Sequence, residues 1–360
     1  MPHLFDPFTL RGVTLANRIV VSPMCQYSSG DGFAGEWHLV HLASRAVGGA
    51  ALVFTEATAV AAEGRISPQD LGIYRDEHVD GLAGLVRAIH SLRCPAGIQL
   101  AHAGRKGSTT PPWQGSTAIA AAAGGWQPLG PTDRPFSSTY PLPRAMTLPD
   151  IEEAIAHFSA AAARAVDAGF DVVELHAAHG YLIHEFLSPL VNTRSDGYGG
   201  SFDNRVRLCL AIVDAIRARL PDRMPLLVRI SASDWKEGGW DIEQSIELAR
   251  RLRARGADLI DCSSGGAVPD VVIPLEPGYQ VPFAERIRQG AGIPTGAVGL
   301  ITEPVQANAI IAGCRADVVL LARELLRDPY WPLRAARELG YLVPWPIQYL
   351  RAAPARTPAR

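Results

Sequence analysis

Short apolar runs alternate with amphipathic segments along nearly the whole chain. The runs predict eight strands, at Ile19–Val21, Ala51–Thr55, Gly97–Leu100, Val172–His176, Leu226–Ile230, Leu259–Cys262, Pro294–Ala297 and Val318–Leu321. The segments between and after them have helical apolar spacing, at Trp37–Val47, Val79–Ser91, Pro149–Ala168, Asn204–Leu220, Ile242–Arg255, Pro282–Gln289, Pro304–Gly313 and Pro329–Leu339. Eight strand–helix repeats predict parallel strands with crossover helices, and eight strands close an α/β (β/α)8 TIM barrel.

An open, doubly wound sheet is the main structural alternative. Such a sheet usually carries a glycine-rich phosphate turn after its first strand, whereas the first strand here is followed by Ser22-Pro-Met-Cys-Gln-Tyr27. The sequence therefore favours the barrel, as a single domain over residues 1–350 with a C-terminal tail at 351–360. The segment Phe8–Leu15, with Gly12 at its centre, predicts an N-terminal β-hairpin that closes the bottom of the barrel.

Two long loops interrupt the regular alternation. Gly104–Arg144 follows the third strand and is rich in Pro, Gly, Ser and Thr, and Asn192–Asp203 lies beyond the fourth strand. Both come after the carboxyl ends of strands, which form the catalytic face of a barrel. Loops of this length are usually lids or binding loops, so the first is predicted to cap the site.

Composition narrows the class of protein. The 360 residues are 48% hydrophobic and 19% charged, with a formal net charge of −2, so neither nucleic acid nor an anionic membrane is an expected partner. The five cysteines are scattered and form no C-x-x-C pair, which argues against a disulfide framework or a zinc or iron–sulfur centre. Without an evident signal peptide or apolar span, the sequence predicts a cytoplasmic protein.

The run Glu174-Leu-His-Ala-Ala-His-Gly-Tyr181 carries the clearest chemistry. Alternation along its strand places Glu174 and His176 on the inward face, with His179 and Tyr181 in the turn above. Two neutral imidazoles can donate hydrogen bonds to one oxygen and stabilise the negative charge that develops when hydride adds to a conjugated C=C bond. A tyrosine hydroxyl can supply the proton for the other carbon.

Other interpretations of the same residues remain open on spacing alone. A single histidine in such a loop is usually a satisfied polar residue. His176 and His179 could also bind a metal together with His184 and Glu185, although an i, i+3 pair in a loop is weaker than an i, i+4 pair on a helix. A metal- or Schiff-base-dependent barrel hydrolase or aldolase could use His176, His179 and Lys106.

Five motifs in a fixed order carry a family resemblance. They are Asn17–Tyr27, Gln99–Lys106, Glu174–Tyr181, Asp196–Arg205 and Gly292–Gly299. Together they resemble the old yellow enzyme family, specifically its bacterial Cys-containing branch of ene-reductases, also called NADPH dehydrogenases or xenobiotic reductases. The resemblance extends from about Leu4 to Arg351.

The resemblance implies a bound FMN and NADPH, or NADH, as the hydride-donating co-substrate. Hydride would pass from flavin N5 to activated C=C bonds of enones and maleimides, or to nitro compounds, in a ping-pong cycle. The absence of a G-x-G-x-x-G turn agrees with this, because the nicotinamide then docks on the flavin rather than in a Rossmann site. No metal is implied.

The resemblance also implies the site residues. The flavin would contact Ser22, Pro23, Met24, Cys25, Ala57, Gln99, Arg229, Val298, Gly299, Ala322 and Arg323. The last four follow strands seven and eight, where barrels commonly bind phosphate, and Ala322 replaces a glycine that is common in the family. Arg229 needs an anionic partner because a buried guanidinium stays charged. A reduced flavin or Glu174 would serve, and a purely structural ion pair is the alternative.

The substrate side is implied in the same way. His176 and His179 would hold the substrate oxygen, Tyr181 would donate the proton, and Tyr27 and Lys106 would line the pocket. Arg351 matches an arginine that reaches the active site of a neighbouring subunit. The resemblance therefore implies a homodimer or homotetramer, whereas a simple tail arginine is the alternative.

Overall fold

The computed structural model describes residues 1–355, in which twelve strands occur. In chain order they are β1 (Phe8–Leu10), β2 (Val13–Leu15), β3 (Ile19–Val21), β4 (Leu52–Ala59), β5 (Ala96–Ala101), β6 (Leu129–Gly130), β7 (Arg144–Ala145), β8 (Val172–Ala177), β9 (Leu226–Ser231), β10 (Leu259–Ser263), β11 (Thr295–Ala297) and β12 (Val318–Leu321). Eight of them form a closed parallel barrel in the order β10-β11-β12-β3-β4-β5-β8-β9. The predicted TIM barrel is confirmed.

Helices lie between the barrel strands, as a (β/α)8 chain requires. Those of the described residues are α1 (Glu36–Val47), α2 (His78–Ser91), α3 (Leu148–Asp167), α4 (Leu182–Leu187), α5 (Phe202–Arg217), α6 (Ile242–Ala254), α7 (Val281–Ala291), α8 (Pro304–Ala312), α9 (Arg323–Arg327) and α10 (Trp331–Glu338). A capping box begins α3, where Thr147 and Asp150 exchange hydrogen bonds through side chain and backbone. The short helices α4 and α9 were not predicted, because they are too short to show an apolar period.

The N-terminal hairpin lies where the sequence predicts it. β1 and β2 pair antiparallel, with Phe8 opposite Leu15. Leu10 and Leu15 belong to an apolar cluster with inward side chains of the barrel such as Val20 and Phe54. An added Cβ on Gly12 would lie 2.7 Å from Cβ of Arg223, so this position requires glycine. The hairpin thus fills the bottom of the barrel and leaves the opposite end for chemistry.

The long loop after β5 is ordered by short elements of its own. It contains 3-10 turns at Gly104–Lys106, Pro112–Gln114 and Ala121–Ala123, and β6 pairs with β7 at its end. Trp126 Nε1 donates to the carbonyl of Glu63 at 2.9 Å. The loop therefore packs on the segment that follows β4, at the carboxyl ends of the strands.

The last described residues include a 3-10 helix, Ile347–Ala352. The predicted boundary between residues 350 and 351 falls inside it, and residues 356–360 of the predicted tail lie outside the described residues. Of the helices within residues 1–355, none is both long and apolar enough to cross a membrane.

Candidate active site

A layer of polar side chains fills the upper interior of the barrel. Gln99 on β5 lies in register with Glu174 on β8, and Arg229 on β9 lies in register with Asp261 on β10. Gln99 Nε2 donates to Glu174 Oε1 at 2.8 Å, and Arg229 Nε lies 3.1 Å from Asp261 Oδ2. Arg229 Nη1 donates a hydrogen bond to Ser22 Oγ at 3.0 Å. Strand register therefore assembles four distant residues into one buried network.

Asp261 is a direct partner of Arg229 that the sequence analysis did not include, and the predicted help of Glu174 in balancing the guanidinium stays a prediction. Burial raises the pKa of Glu174 to about 8 and that of Asp261 to about 6, and Arg229 opposes both shifts. We assign the negative charge to Asp261 because it contacts the guanidinium. The register of β9 and β10 places Asp261 beside Arg229, and Asp261 was not among the residues that the sequence analysis considered.

The two histidines of β8 and its following turn lie directly above this layer. His176 is in register with Arg229, and its ring centroid lies 5.0 Å from that of His179 at an angle of 83°. The backbone N–H of Ala178 donates to His176 Nδ1 at 3.3 Å, so the imidazole proton is on Nε2. That Nε2 lies 3.4 Å from His179 Nδ1, and His179 Nε2 lies 2.6 Å from Ser263 Oγ.

Both imidazoles are neutral. Burial, with a further contribution from Arg229, lowers the pKa of each histidine well below its usual value. Each neutral ring then has one N–H group to offer. The two rings can therefore present two uncharged donors to one ligand oxygen.

The turn that carries His179 is fixed by its backbone. His179 has φ of 60° and Gly180 has φ of 71°, and a Cβ on Gly180 would lie 1.9 Å from the carbonyl oxygen of Gly266. The N–H of Gly180 donates to His184 Nδ1 at 2.8 Å, and His184 Nε2 lies 2.9 Å from Asp234 Oδ1. This buried pair holds the turn in its strained conformation.

Lys106 joins the same turn to the loop after β10. Its ammonium donates to the carbonyl oxygens of His179 at 2.7 Å and Gly266 at 2.6 Å, and it lies 4.0 Å from the centre of the Phe136 ring. Burial lowers its pKa to about 7, whereas the two carbonyls and the ring favour the charged form. Lys106 thus has a structural role beside its predicted place in the pocket wall.

The predicted metal interpretation has little geometric support. Glu185 accepts the backbone N–H of Arg105 at 2.9 Å, and His184 is occupied by Gly180 and Asp234. Within residues 1–355, no group of three or more His, Cys, Asp or Glu side chains is arranged to hold a metal ion.

The segment after β3 is supported by residues that sequence reasoning missed. The backbone N–H of Gln26 donates to Glu56 Oε2 at 3.0 Å, and His38 Nε2 lies 3.1 Å from Glu56 Oε1. Glu56 is a charged residue within the otherwise apolar and small-residue strand β4, and this was the one feature of the sequence that could have indicated its supporting role. Burial, reinforced by carboxylates, raises the pKa of the Cys25 thiol well above its usual value, so Cys25 remains protonated. Tyr27 packs edge-on against Trp113, with ring centroids 5.5 Å apart.

A cavity of about 210 Å³ lies at the carboxyl ends of β11 and β12. Its lining includes the predicted phosphate-binding residues Val298, Gly299, Ala322 and Arg323. Gly299 has φ of 111°, and a Cβ there would lie 2.6 Å from Nε2 of Gln280. Arg323 is exposed at the start of α9 and forms no ion pair within the described residues.

Arg351 is exposed in the 3-10 helix near the end of the described chain and forms no ion pair within residues 1–355. Among residues 1–355, no hydrogen bond or ion pair connects Arg351 to His176 or His179. Its predicted place in a neighbouring subunit stays a prediction.

The polar layer and the cavity together fit an elongated anionic cofactor. Among the described residues, Glu174 Oε2, both carboxyl oxygens of Asp261 and Arg229 Nε are buried without a hydrogen-bond partner. Gln99 adds an amide that can donate and accept. Arg323, at the edge of the cavity, has no anionic partner in the described part of the chain. A ring system with polar edges against the layer, and a phosphate at the cavity, would satisfy both ends. The barrel, with a polar layer in its interior and a cavity at the carboxyl ends of its strands, has the features of a TIM-barrel enzyme.

Sequence comparison makes the class specific. Residues 3–341 match the model of the NADH:flavin oxidoreductase / NADH oxidase family, and the chain belongs to this family, that of old yellow enzyme. An NADPH dehydrogenase of Geobacillus sp. (strain WCH70) is 51% identical over 350 residues, which cover 97% of this chain and 98% of that protein. One of Halalkalibacterium halodurans is 50% identical over 358 residues, covering 98% and 99%.

Solved structures agree with the assignment. Morphinone reductase in complex with tetrahydroNAD has a TM-score of 0.78 at 27% identity, covering 96% of this chain and 93% of that one. A 2-naphthoyl-CoA reductase complex has a TM-score of 0.84 at 28% identity over 94% of this chain, which spans only 52% of that protein. The chain is therefore a flavin oxidoreductase that acts on NAD(P)H, and the hydrolase or aldolase alternative is wrong.

Proposed function

We propose that the protein is an FMN-dependent ene-reductase that uses NADPH, or NADH, to reduce activated C=C bonds of enones and maleimides, and nitro compounds. The observation that carries this proposal is the pair of neutral imidazoles above the buried Arg229–Asp261 pair. FMN, when bound, supplies the hydride. The cavity near Arg323 supports a cofactor that ends in one phosphate.

The histidines are proposed to hold the oxygen of each substrate in turn. The His176 and His179 N–H groups now face a neighbouring nitrogen and the Ser263 hydroxyl, contacts that a carbonyl or nitro oxygen can replace. The same donors would hold the nicotinamide carboxamide when NAD(P)H occupies the site. Because the rings are uncharged, they stabilise a developing enolate without donating a full proton to it.

Tyr181 is proposed as the proton donor. Its ring lies 5.2 Å from that of His176, next to the position of a held oxygen, and burial raises its pKa well above the usual value. The hydroxyl is therefore protonated before each turnover. Tyr27 and Cys25 line the same side, where they exclude water and contact the cofactor.

The active unit is proposed to be a homodimer or homotetramer in the cytoplasm, with Arg351 of one subunit reaching the site of another. Supporting this, Arg351 lies beside the exposed apolar side chains Ile347 and Tyr349. Within residues 1–355 no disulfide bond is formed, as is usual in a reducing compartment. Molecular mass in solution tests the assembly, and loss of substrate affinity in Arg351→Ala tests the shared site.

The direct test uses the purified protein. We expect a yellow protein whose released cofactor has the mass of FMN, whose visible band bleaches under anaerobic NADPH, and whose oxidised spectrum returns on adding 2-cyclohexenone or N-ethylmaleimide. A colourless protein that cannot take up FMN would contradict the cofactor. A reduced protein that neither enone nor maleimide reoxidises would contradict the substrate class.

A further inference from the structure

A small cavity lies beside Tyr181. It offers about 10 Å³ to the centre of a water molecule. Tyr181 and Asp70 line it, and the rest of its wall is Ile66, glycine and small alanine side chains. A void of this size with polar groups on its wall suits one bound water.

Asp70 is a buried carboxyl group with no cationic partner. Its side chain is 2% exposed, and it forms no ion pair among residues 1–355. The backbone N–H of Ile66 donates to Oδ2 at 2.6 Å, and the Ser67 hydroxyl donates to Oδ1 at 2.8 Å. These bonds orient the carboxyl but leave its burial uncompensated by a positive charge.

The groups that face Asp70 from neighbouring elements are all acids. They are Glu56 on β4, Cys25 and Tyr27 in the segment after β3, and Tyr181 after β8. Burial, with a smaller contribution from Glu56, raises the pKa of Asp70 to about 7. Near neutral pH this carboxyl is able both to give a proton and to take one back.

We propose that Asp70 reprotonates Tyr181 through a water molecule in this cavity. The inference rests on the proposed role of Tyr181 as proton donor. It gives the buried carboxyl a task that a neutral amide of the same shape could not perform.

The proton balance is simple. The Oη–H bond of Tyr181 breaks as a C–H bond forms at the α-carbon of the enone. In the same step the cavity water gives a proton to the Tyr181 oxygen and receives one from the Asp70 carboxyl, so that no free phenolate has to form. Solvent reprotonates Asp70 through the loop at 62–69, where Ala62 and Gln69 are exposed. No electrons move in this relay, since both arrive with the hydride.

The test is Asp70→Asn in the flavin-loaded enzyme, with each half-reaction followed by stopped flow. We expect reoxidation by an enone to slow about tenfold, which is less than the roughly 10²–10⁴ of a direct general acid, because Asp70 acts only through Tyr181. Reduction by NADPH, and reoxidation by ferricyanide, which takes electrons alone, should keep their rates. Asp76→Asn, the same change at an exposed carboxyl, is the matched control and should leave all three rates unchanged.

The pH profile separates a proton relay from a packing role. Because the protonated carboxyl is the donor, the wild-type enone rate should fall as pH rises through the pKa of Asp70, about 7. This limb should be missing in Asp70→Asn. In a Tyr181→Phe background, Asp70→Asn should add no further slowing, because the two residues act in series.

Ala59→Val provides a second variant that leaves Asp70 intact. Ala59 lines the cavity, and two added methyl groups would displace the water. The enone rate should again fall while the ferricyanide rate holds. An unchanged enone rate in both variants, or equal slowing with and without Tyr181, overturns the relay. If Tyr181→Phe alone has no effect on the enone step, the donor role itself fails and the relay with it.

Discussion

Two groups of titratable side chains lie next to each other at the site, and their surroundings shift their pKa values in opposite directions. The histidine group, His176 and His179, lies over the Arg229 guanidinium, and the tyrosine group, Tyr181, Tyr27 and Cys25, lies near carboxyl groups. Burial lowers the pKa of both histidines and raises the pKa of all three acids. In both groups the neighbouring charges reinforce the effect of burial.

This difference explains how one pocket can hold an oxygen and deliver a proton. Loss of water disfavours every charged form. A cation beside bases keeps them unprotonated, and carboxyl groups beside acids keep them protonated. The histidine group therefore offers neutral N–H donors, whereas the side chains of the tyrosine group stay protonated and can donate a proton. Substitutions in each group, or in its charged neighbours, should therefore change different properties: stability and flavin binding, oxygen binding, or proton delivery.

The largest effect is expected for Arg229→Ala, which removes the cation under the histidine group. Asp261 has no exposed surface, so its carboxylate would be left buried without a partner. Breaking such a pair costs about 3–5 kcal/mol. We expect the free energy of unfolding to fall by about that amount and the purified protein to lose flavin, as measured by urea unfolding and the visible spectrum.

Adding Asp261→Asn to this variant is the control. The amide is neutral, so part of the lost stability should return, while flavin affinity stays low because the guanidinium is missing. Unchanged urea unfolding in Arg229→Ala would show that the pair contributes nothing to the fold.

The next effect is expected for the double variant His176→Ala/His179→Ala. Loss of a single oxyanion donor commonly slows catalysis by about 10²–10³, so the enone half-reaction should slow at least that much. FMN should be retained, because the polar layer below is untouched. The affinity for a phenol, read from its charge-transfer band with oxidised flavin, should fall in parallel.

His157→Ala removes an outer histidine that is 34% exposed on α3 and serves as the control. If the double variant bound the phenol and reduced the enone like the wild type, the two imidazoles would not be the oxygen anchor.

Apolar periodicity predicted some elements of the fold correctly and missed the bounds of others. The period of two in Val172–His176 correctly placed Glu174 and His176 inward, and the eight apolar runs predicted the barrel. β4 extends to Ala59 rather than Thr55, past a bulge between Phe54 and Ala57, because the polar Glu56 and Thr58 hide the end of the strand.

Contacts between distant elements were beyond sequence reasoning. Lys106 bonds to a carbonyl 160 positions away, and the pairing of Arg229 with Asp261 depends on strand register. Asp70 lies in a loop without any apolar period. Local periodicity determines which face a residue occupies, but packing of the whole barrel determines which residue it meets.

A smaller effect, confined to the tyrosine group, is expected for Tyr181→Phe. General acids typically contribute 10²–10⁴, and water can substitute in part, so we expect the enone half-reaction to slow by about 10². Reduction of the flavin by NADPH needs no proton from this hydroxyl and should keep its rate. Tyr341→Phe, at a tyrosine that stacks on Phe5, is the control. Equal losses in both half-reactions would argue against proton donation.

The smallest effect is expected for Lys106→Met, which tests whether the histidine group depends on its backbone support. Methionine keeps most of the side-chain volume but loses the hydrogen bonds to the carbonyls of His179 and Gly266. His179 would then be less firmly oriented, and phenol affinity should fall about tenfold, or about 1.4 kcal/mol, with the flavin retained. The only other lysine, Lys236, pairs with Asp270 at the surface, so Lys236→Met is a matched control. The Lys106 ammonium also lies 5.5 Å from the centre of the Tyr181 ring, so the pH profile of the enone step should be measured beside phenol affinity. A shifted pH profile with unchanged phenol affinity would instead place Lys106 with the tyrosine group.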